Sequence, residues 1–345
     1  MNVPLIHTQI FARTIDIAEE FCSKQDIASC LRAQSITREA ISGHSYLPYH
    51  MCAEFEAATS RKAGDRFFGV TLAKQANYLD LGAYAEYVLA APCLGDALER
   101  GGKAISLINP GVRVGTYDAV DHVILSFHSG LNDSTGSRHI DRGMPLLLTE
   151  LPRHFIGQSW TPEWIELPEF LLKDFADAES VYSTNCKFRA SGAAIAIKKS
   201  DLEAPNPRKT SLAETPLFCE LQDELTPFGL PRSTHDQVSS ILGVQFRVFD
   251  VGIETIANRL QISTRTLQRK LRTEGVSFRE VLSEARHKRG KMLLEETRFS
   301  VSEIAHGLGY EEVNSFRRAF INSENCTPTQ YARQHRFLAS DQIDQ

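Results

Sequence analysis

Residues 252–275 read Gly252-Ile-Glu-Thr-Ile-Ala-Asn-Arg-Leu-Gln-Ile-Ser-Thr-Arg-Thr-Leu-Gln-Arg-Lys-Leu-Arg-Thr-Glu-Gly275. In the first half, Ile256, Ala257 and Leu260 recur at the spacing of one helix face. Ala257 is small, as required where two helix backbones close in. Ser263 can cap a second helix by accepting a bond from a free amide of its first turn. Leu267 and Leu271 are four apart and share a buried face, while Arg265, Gln268, Arg269 and Arg272 take the opposite one. An apolar stripe backed by arginines, on a short helix after a tight turn, is what a helix-turn-helix presents to the major groove of DNA.

A second unit follows. Ser300-Val-Ser-Glu303 is a capping box, and Val301, Ile304, Ala305 and Leu308 continue as an apolar stripe. Gly309 breaks that helix and Tyr310 follows it. Phe316 and Phe320 then face inward, with Asn314, Arg317 and Arg318 outward. Between the units, Ser277-Phe-Arg-Glu280 is another capping box. It opens a helix to about Glu295 whose buried side is expected to carry Phe278, Val281, Leu282, Ala285, Met292 and Leu293. Such a helix spans about 28 Å at ~1.5 Å per residue. One turn of DNA is about 34 Å, so the linker can hold both units near successive major-groove windows.

The spacings Ile256-Ala257-x-x-Leu260, Ser263-x-Arg265-Thr266-Leu267-x-Arg269-x-Leu271, Gly275-x-Ser277-Phe278, Arg286, Leu293, Ile304-Ala305-x-x-Leu308-Gly309-Tyr310, Ser315-Phe316-x-Arg318-Ala319-Phe320 and Thr327-Pro328 resemble the AraC/XylS family of bacterial transcription regulators. The resemblance covers residues 234–336. It departs from the family pattern at Gly290, where Ala is usual, and at Ile321-Asn-Ser323, which replaces a basic and aromatic run. Asn325 stands for a usual Gly, and Ala332 for a common Arg. The resemblance implies an all-α C-terminal domain, 233–336, with helix-turn-helix units at about 252–274 and 300–322, and residues 337–345 as a flexible tail. Within it Arg265, Gln268, Arg269 and Arg272 are expected to meet base edges, where Arg bonds guanine and Gln bonds adenine. Asn314 and Arg317 take that role in the second unit. Arg318 bonds a phosphate, a base or the linker helix. Arg259, Lys270 and Arg279 are expected at phosphates, which position a protein without reading sequence, and Arg286 is expected to be structural.

The net charge of −5 alone argues against a nucleic-acid partner, but its distribution reverses that. Residues 251–336 hold 15 basic against 10 acidic residues, and the rest of the chain 23 against 33. A basic module on an acidic body is the asymmetry of a nucleic-acid binder with a separate second domain. The seven cysteines are odd in number and lack a Cys-x-x-Cys pair, which fits a reducing cytosol and thiols rather than disulfides. No histidine joins a metal-ligand run, so no metal or other cofactor is expected. No signal peptide is evident, and no apolar run approaches the ~20 residues of a membrane span. The expected location is cytoplasmic. No phosphate loop, Gly-x-Ser-x-Gly or Gly-x-Gly-x-x-Gly is present, and no catalytic residue is expected.

The N-terminal part reads as α+β. Residues 1–60 are expected to be helical, with Ile10, Ile15, Ile17, Ala18, Phe21 and Cys22 on one stripe, then helices through Ile27–Gln34, Pro48–Ala58 and Phe67–Gln75. Pro92 separates two further helices, one burying Tyr84, Val88 and Leu89, the other Leu94, Leu98 and Ile105. Val112–Tyr117 and His122–His128 alternate like a hairpin. A long helix is expected from Arg138 to Gln158, kinked or ended by Pro152. Trp164–Leu167 reads as a strand, and Cys186–Arg189 and Ala193–Lys198 as two more joined by Ser191-Gly192. Pro205 to Ser211 reads as an exposed connection, Leu217–Leu225 as helix, and Pro227–Arg232 as the domain boundary.

Leu81-Gly82 through Leu94-Gly-Asp-Ala-Leu98, Asn109-Pro-Gly-Val112, and Phe188 to Ile197 with Leu202 and Pro205 resemble the N-terminal effector domain of one branch of the same family, labelled arabinose-binding. That resemblance covers residues 25–225. It implies a sensory role for residues 1–232 without making the ligand arabinose. Tyr84, Tyr87, Trp160 and Trp164 are candidates for an effector pocket or for core packing. Arg113 and Lys187 are candidates for an anionic effector or a solvated strand edge, and His122 and His128 have no metal partner. The chain thus reads as a transcription regulator, an activator by family habit, that binds double-stranded DNA, a small-molecule effector and RNA polymerase, with a homodimer among its partners and no membrane. The alternative is a constitutive DNA-binding factor whose N-terminal domain serves only dimerisation.

Overall fold

The structure is a computed structural model that describes residues 3–34, 36–38, 41, 45–131, 136–169, 171, 181–208, 215–227, 229–245 and 252–340. The chain divides into two compact units, Met1–Gln34 with Ile41–Leu230 and Ser35–Ala40 with Pro231–Gln345.

The first unit is α+β. It opens with a short strand, β1 (Leu5–His7), and a helix, α1 (Thr8–Ala18), whose N-terminus is capped by His7 Nδ1 accepting from Gln9 N. Helix α2 (Lys24–Arg32) is capped by Ser23. Strand β2 (Tyr46–Pro48) pairs antiparallel with β1 and runs directly into α3 (Tyr49–Ala63), which ends at Gly64 in a left-handed turn. Helix α4 (Phe68–Gln75), a 3₁₀ turn over Tyr78–Leu81, α5 (Ala83–Leu89) and α6 (Leu94–Ile108) follow. The expectation of an all-helical start is corrected here. Three-residue strands carry no alternation long enough to read, and their partners lie forty residues apart. Helix α1 also stops at Ala18, which leaves Phe21 outside the stripe and exposed.

The main sheet comprises β3 (Arg113–Ala119), β4 (His122–His128), β5 (Ile165–Pro168), β6 (Cys186–Ala190) and β7 (Ala193–Lys198), in the order β3-β4-β7-β5-β6. The hairpin of β3 and β4 is as the alternation predicts. The two strands flanking Ser191-Gly192 are not neighbours: β5 lies between them, antiparallel to β7 and parallel to β6. Strand β7 is buried from Ala193 to Ile197, so both of its faces are covered. Ile195 and Ile197 face the helices, among Val88, Leu98, Leu107 and Leu151, while Ala194 and Ala196 pack with Ile124 on the other face. Helix α7 (Ser137–Ile156) contains both Pro145 and Pro152 and continues to Ile156, so Pro152 does not end it. Helix α8 (Phe218–Leu225) closes the unit, with Phe218 edge-on to Tyr87 at 6.0 Å. The expected connection beyond Arg208 lies outside the described residues up to 214.

The second unit is all-α: α9 (Thr234–Gln245), α10 (Ile253–Arg259), α11 (Thr264–Thr273), α12 (Phe278–Glu296), α13 (Val301–Gly307), α14 (Val313–Glu324) and α15 (Pro328–Ser340). The caps lie where the sequence places them, Ser263 on α11, the Ser277/Glu280 box on α12 and the Ser300/Glu303 box on α13. The buried side of α12 differs from expectation. Val281, Gly290 and Leu294 are enclosed, Leu293 is half-buried and Met292 is exposed. The reason is that α12 packs on α9 and also on α13, α14 and α15, so its apolar residues serve more than one side. The expected tail from residue 337 begins as helix, since no Gly or Pro interrupts the run from Thr329 to Ser340. Residues 341–345 lie outside the described residues. Among the described residues no helix is long and apolar enough to cross a membrane.

Candidate nucleic-acid interface and effector cavity

The two helix-turn-helix units share one turn. In the first, Ile262 N bonds Ala257 O and Gln261 N bonds Asn258 O, both at 3.0 Å. In the second, Tyr310 N bonds Ala305 O at 3.0 Å and Gly309 N bonds His306 O at 2.9 Å. The left-handed position of that turn is Gln261 (φ 52°) in one and Gly309 (φ 76°) in the other. The second turn is one residue longer before its second helix begins. Leu267 and Leu271 thus correspond to Phe316 and Phe320, and each pair is fully buried.

That correspondence also pairs the outward faces: Arg265 with Asn314, Gln268 with Arg317, Arg269 with Arg318, and Arg272 with Ile321. All eight are exposed. Among the described residues, the side chains of Arg265, Gln268, Arg269 and Arg272 take part in no hydrogen bond or ion pair within the chain. In the second unit Arg317 Nη1 donates to Asn314 Oδ1 at 3.3 Å, so these two act as one group. Arg318 is exposed beside them and makes no bond to the linker helix among the described residues. Arg279 is exposed at the start of α12, while Arg259 and Lys270 are half-buried on the flanks of the first unit.

Arg286 sits elsewhere. Its Nη2 donates to Gly309 O at 3.0 Å and its guanidinium lies 4.8 Å from the centre of the Tyr310 ring. It therefore holds the second turn onto α12. Burial holds its pKa below the usual arginine value. Gly290 has a related use: a Cβ there would stand 3.2 Å from the Phe316 ring and 3.3 Å from Leu308, so its absence lets the second unit seat on the linker backbone. Glu324 ties the far end of α14 down, accepting from Lys291 Nζ at 3.0 Å and pairing with His287 Nε2 at 2.7 Å.

The first unit contains a cavity of about 200 Å³ between α1, α3, α4, α6, α7 and the β3–β4 hairpin. Its wall is largely apolar, with Ile10, Ile17, Leu72, Leu147, Leu148 and Leu151. Of the sequence candidates, Tyr84 lines it, its hydroxyl donating to Gly101 O at 3.1 Å. Tyr87 is core. Trp160 packs at the edge of the core and donates to Asp201 Oδ2 at 3.0 Å. Trp164 lies on the opposite face of the sheet, with Lys187 over its ring and His122 against it. Arg113 is exposed on β3, and His128 approaches Ser191 Oγ at 3.3 Å.

Two polar groups on the cavity wall escaped the sequence reading. Glu56 is buried on α3 and its Oε1 accepts from the Cys52 thiol at 3.7 Å. Burial pushes its carboxyl up to about 8; the thiol bond opposes this and Asp141 reinforces it. His139 is buried on α7, and its Nδ1 has no hydrogen-bond partner among the described residues. Burial, helped by Arg142, holds its pKa down to about 4, so the ring stays neutral. At the rim, Arg13 Nε pairs with Asp80 Oδ1 at 2.9 Å. A Glu inside an apolar helical run was the available signal, but sequence alone does not tell which face of α3 is inward.

An α+β unit with a cavity, followed along the chain by a helical unit with paired helix-turn-helix units, is the architecture of a two-domain regulator. Residues 25–206 match the family model described as the arabinose-binding domain of AraC transcription regulator, N-terminal, and residues 256–334 match the helix-turn-helix domain model. The first match alone covers more than half of the chain, and the chain belongs to the AraC/XylS family of transcription regulators. It is 38% identical over 78 residues to the uncharacterized HTH-type transcriptional regulator Rv1395 of Mycobacterium tuberculosis, 23% of each chain. It is 37% identical over 76 residues to the HTH-type transcriptional regulator GadX of Escherichia coli K12, 22% of this chain and 28% of that one. These matches span only about a quarter of the relatives' own length. The crystal structure of the transcriptional regulator CdpR from Pseudomonas aeruginosa is similar with a TM-score of 0.42 and 21% identity, over 90% of this chain and 97% of that one.

Proposed function

We propose that this chain is a sequence-specific DNA-binding regulator of transcription, with residues 233–336 on DNA and residues 1–232 sensing a small molecule. The observation that carries the reading is the pair of units with one shared turn geometry. Each sets a second helix with a buried apolar stripe and an exposed polar face. In the first unit that face holds three arginines and a glutamine without intramolecular partners among the described residues, a surface made for phosphates and base edges. Arg265, Gln268, Arg269 and Arg272 are assigned to bases, and Asn314, Arg317 and Arg318 to the second window. Arg259, Lys270 and Arg279 are assigned to phosphates. Ile321, at the place of Arg272, makes the second unit the weaker contributor.

The cavity supports an effector role for the first unit. A ligand there shifts the population of DNA-binding arrangements only if it binds one of them better. Contact with RNA polymerase, pairing of two chains and a cytoplasmic location belong to the same reading, and no catalytic step is assigned to any residue. The test is selection of duplexes from a random pool by the full chain, followed by footprinting. Protection of two major-groove windows on one face of the DNA is the expected result. Binding that ignores sequence, or one protected window unaffected by substitutions in either second helix, would overturn it.

A further inference from the structure

We infer that the cavity of the first unit takes a small cationic amine with an apolar, ring-sized body, its ammonium seated on the Glu56 carboxyl. The inference rests on reading this cavity as the effector site.

Glu56 is more than nine-tenths buried, and the hydrogen bond described to its carboxyl comes from a thiol, a weak donor, at 3.7 Å. A buried carboxyl ordinarily has a cation or several amide donors beside it. Here the neighbouring charge is another acid, Asp141. The arginine on the cavity wall, Arg13, is paired with Asp80 at 2.9 Å. Among the described residues, the wall therefore offers an acceptor of positive charge and no unpaired cation. A ligand carboxylate would leave Glu56 protonated and would be set near Asp141, and like charges in a low-dielectric site repel strongly. A neutral hydroxyl would gain an ordinary hydrogen bond. An ammonium gains a charge-assisted one, roughly twice as strong. A carboxyl that titrates at about 8 gives up its proton near neutral pH at small cost once that cation arrives.

Size and shape agree. An apolar cavity of about 150 Å³ holds benzene, so about 200 Å³ holds a ring with a short chain. Ile10, Ile17, Leu72 and Leu148 supply the apolar contact. Tyr49, buried next to Glu56, and Tyr84 supply aromatic rings, which also favour a cation near their faces.

The experiment uses the full-length chain and three probes that share one body: 2-phenylethylamine, 2-phenylethanol and phenylacetate. Their dissociation constants are measured by calorimetric titration. The amine is expected to bind at least about tenfold more tightly than the alcohol, with phenylacetate weakest. In Glu56→Gln, which keeps the shape of the protonated side chain, the amine-to-alcohol ratio should fall to about one while alcohol binding persists. The ranking of head groups is read on the unaltered chain, so it stands whether or not the variant folds. An alcohol or acid that binds as tightly as the amine, or a ratio that survives Glu56→Gln, overturns the inference and leaves the cavity as an effector site of other chemistry. No binding of any of the three overturns the effector reading of the cavity as well.

Discussion

Gly69 and Gly143 meet where α4 crosses α7: a Cβ on Gly143 would stand 2.5 Å from the carbonyl oxygen of Gly69. A Cβ on Gly69 would in turn run into the carbonyl of His139. The two helices are thus in backbone contact, and that contact sets His139 on the cavity wall. Alanine is the better helix former by about 1 kcal/mol, but here the added carbon meets backbone rather than a movable side chain. Gly143→Ala is expected to destabilise the first unit by about 1–3 kcal/mol. Both tryptophans, Trp160 and Trp164, lie in that unit, so urea unfolding followed by their fluorescence reads the loss. An unchanged midpoint would show that α4 and α7 are further apart than described.

Arg269 and Lys270 are neighbours in sequence with different expected roles on DNA. Arg269→Ala should cost about 1–3 kcal/mol on the selected operator and relax specificity at one base position. Lys270→Ala should weaken all duplexes alike and lower the slope of log affinity against log salt by about 1. Titrations on operator and scrambled duplexes at several salt concentrations separate the two. Equal loss on both duplexes for Arg269→Ala would move that residue to the phosphate group.

The first turn carries a strain that the second avoids. Gln261 holds the left-handed conformation that Gly309 takes in the second unit. Gln261→Gly is expected to raise the stability of the second domain by about 0.5–1 kcal/mol, because the glycine lacks the Cβ penalty but loses more chain entropy on folding. Ser263→Ala, which removes the cap on Thr266 N, should lower it by about 1 kcal/mol. Thermal melts followed by far-ultraviolet dichroism give both signs.

Glu56 and His139 make the stability of the first unit depend on pH in opposite directions. The carboxyl is raised from 4.5 to about 8, so over that window the unfolded chain releases a proton that the folded chain keeps. Stability falls as pH rises through it. The imidazole is lowered from 6.5 to about 4, so the unfolded chain takes up a proton that the folded one refuses, and stability falls as pH drops below 6.5. Between 4.5 and 6.5 the two oppose each other, and from 6.5 to 8 the carboxyl acts alone. Glu56→Gln should abolish the decline above 6.5 and leave stability falling as pH drops below it, whereas His139→Gln should extend the alkaline decline down to 4.5. Melts of the three proteins read by tryptophan fluorescence across that range test both. A parallel decline in wild type and Glu56→Gln would place its cause in another group.

Much of the second unit was legible because its determinants are local. A serine three residues before a glutamate, a stripe at helical spacing and a left-handed break each act within one turn of chain. Even there α12 misled, since Met292 and Leu293 look equivalent to Leu294 until the several neighbours of that helix are known. The first unit was legible in its hairpin and helices and not in its pairings. Nothing near Ser191-Gly192 says that Ile165 will insert beside Ile195, because the partner comes from a distant segment. The cavity was the least legible part. Glu56 and His139 look like surface residues in sequence, and only the crossing of α3, α4 and α7 turns them inward.

The acids of the second unit have a consequence for long-range encounter. Glu280 and Glu303 are bound to the amides of Ser277 and Ser300, Glu274 to those of Thr234 and His235, and Glu324 to His287 and Lys291. Glu284 pairs with His235, and Glu295 accepts from the Tyr331 hydroxyl. These carboxylates are held at helix ends and seams, Glu274 at the end of α11 itself, and among the described residues none of them bonds an arginine of α11. The positive field over α11 is therefore more concentrated than the modest net charge of the module conveys. A polyanion is drawn and oriented by that field over a Debye length, about 8 Å at physiological ionic strength, before any side chain touches it.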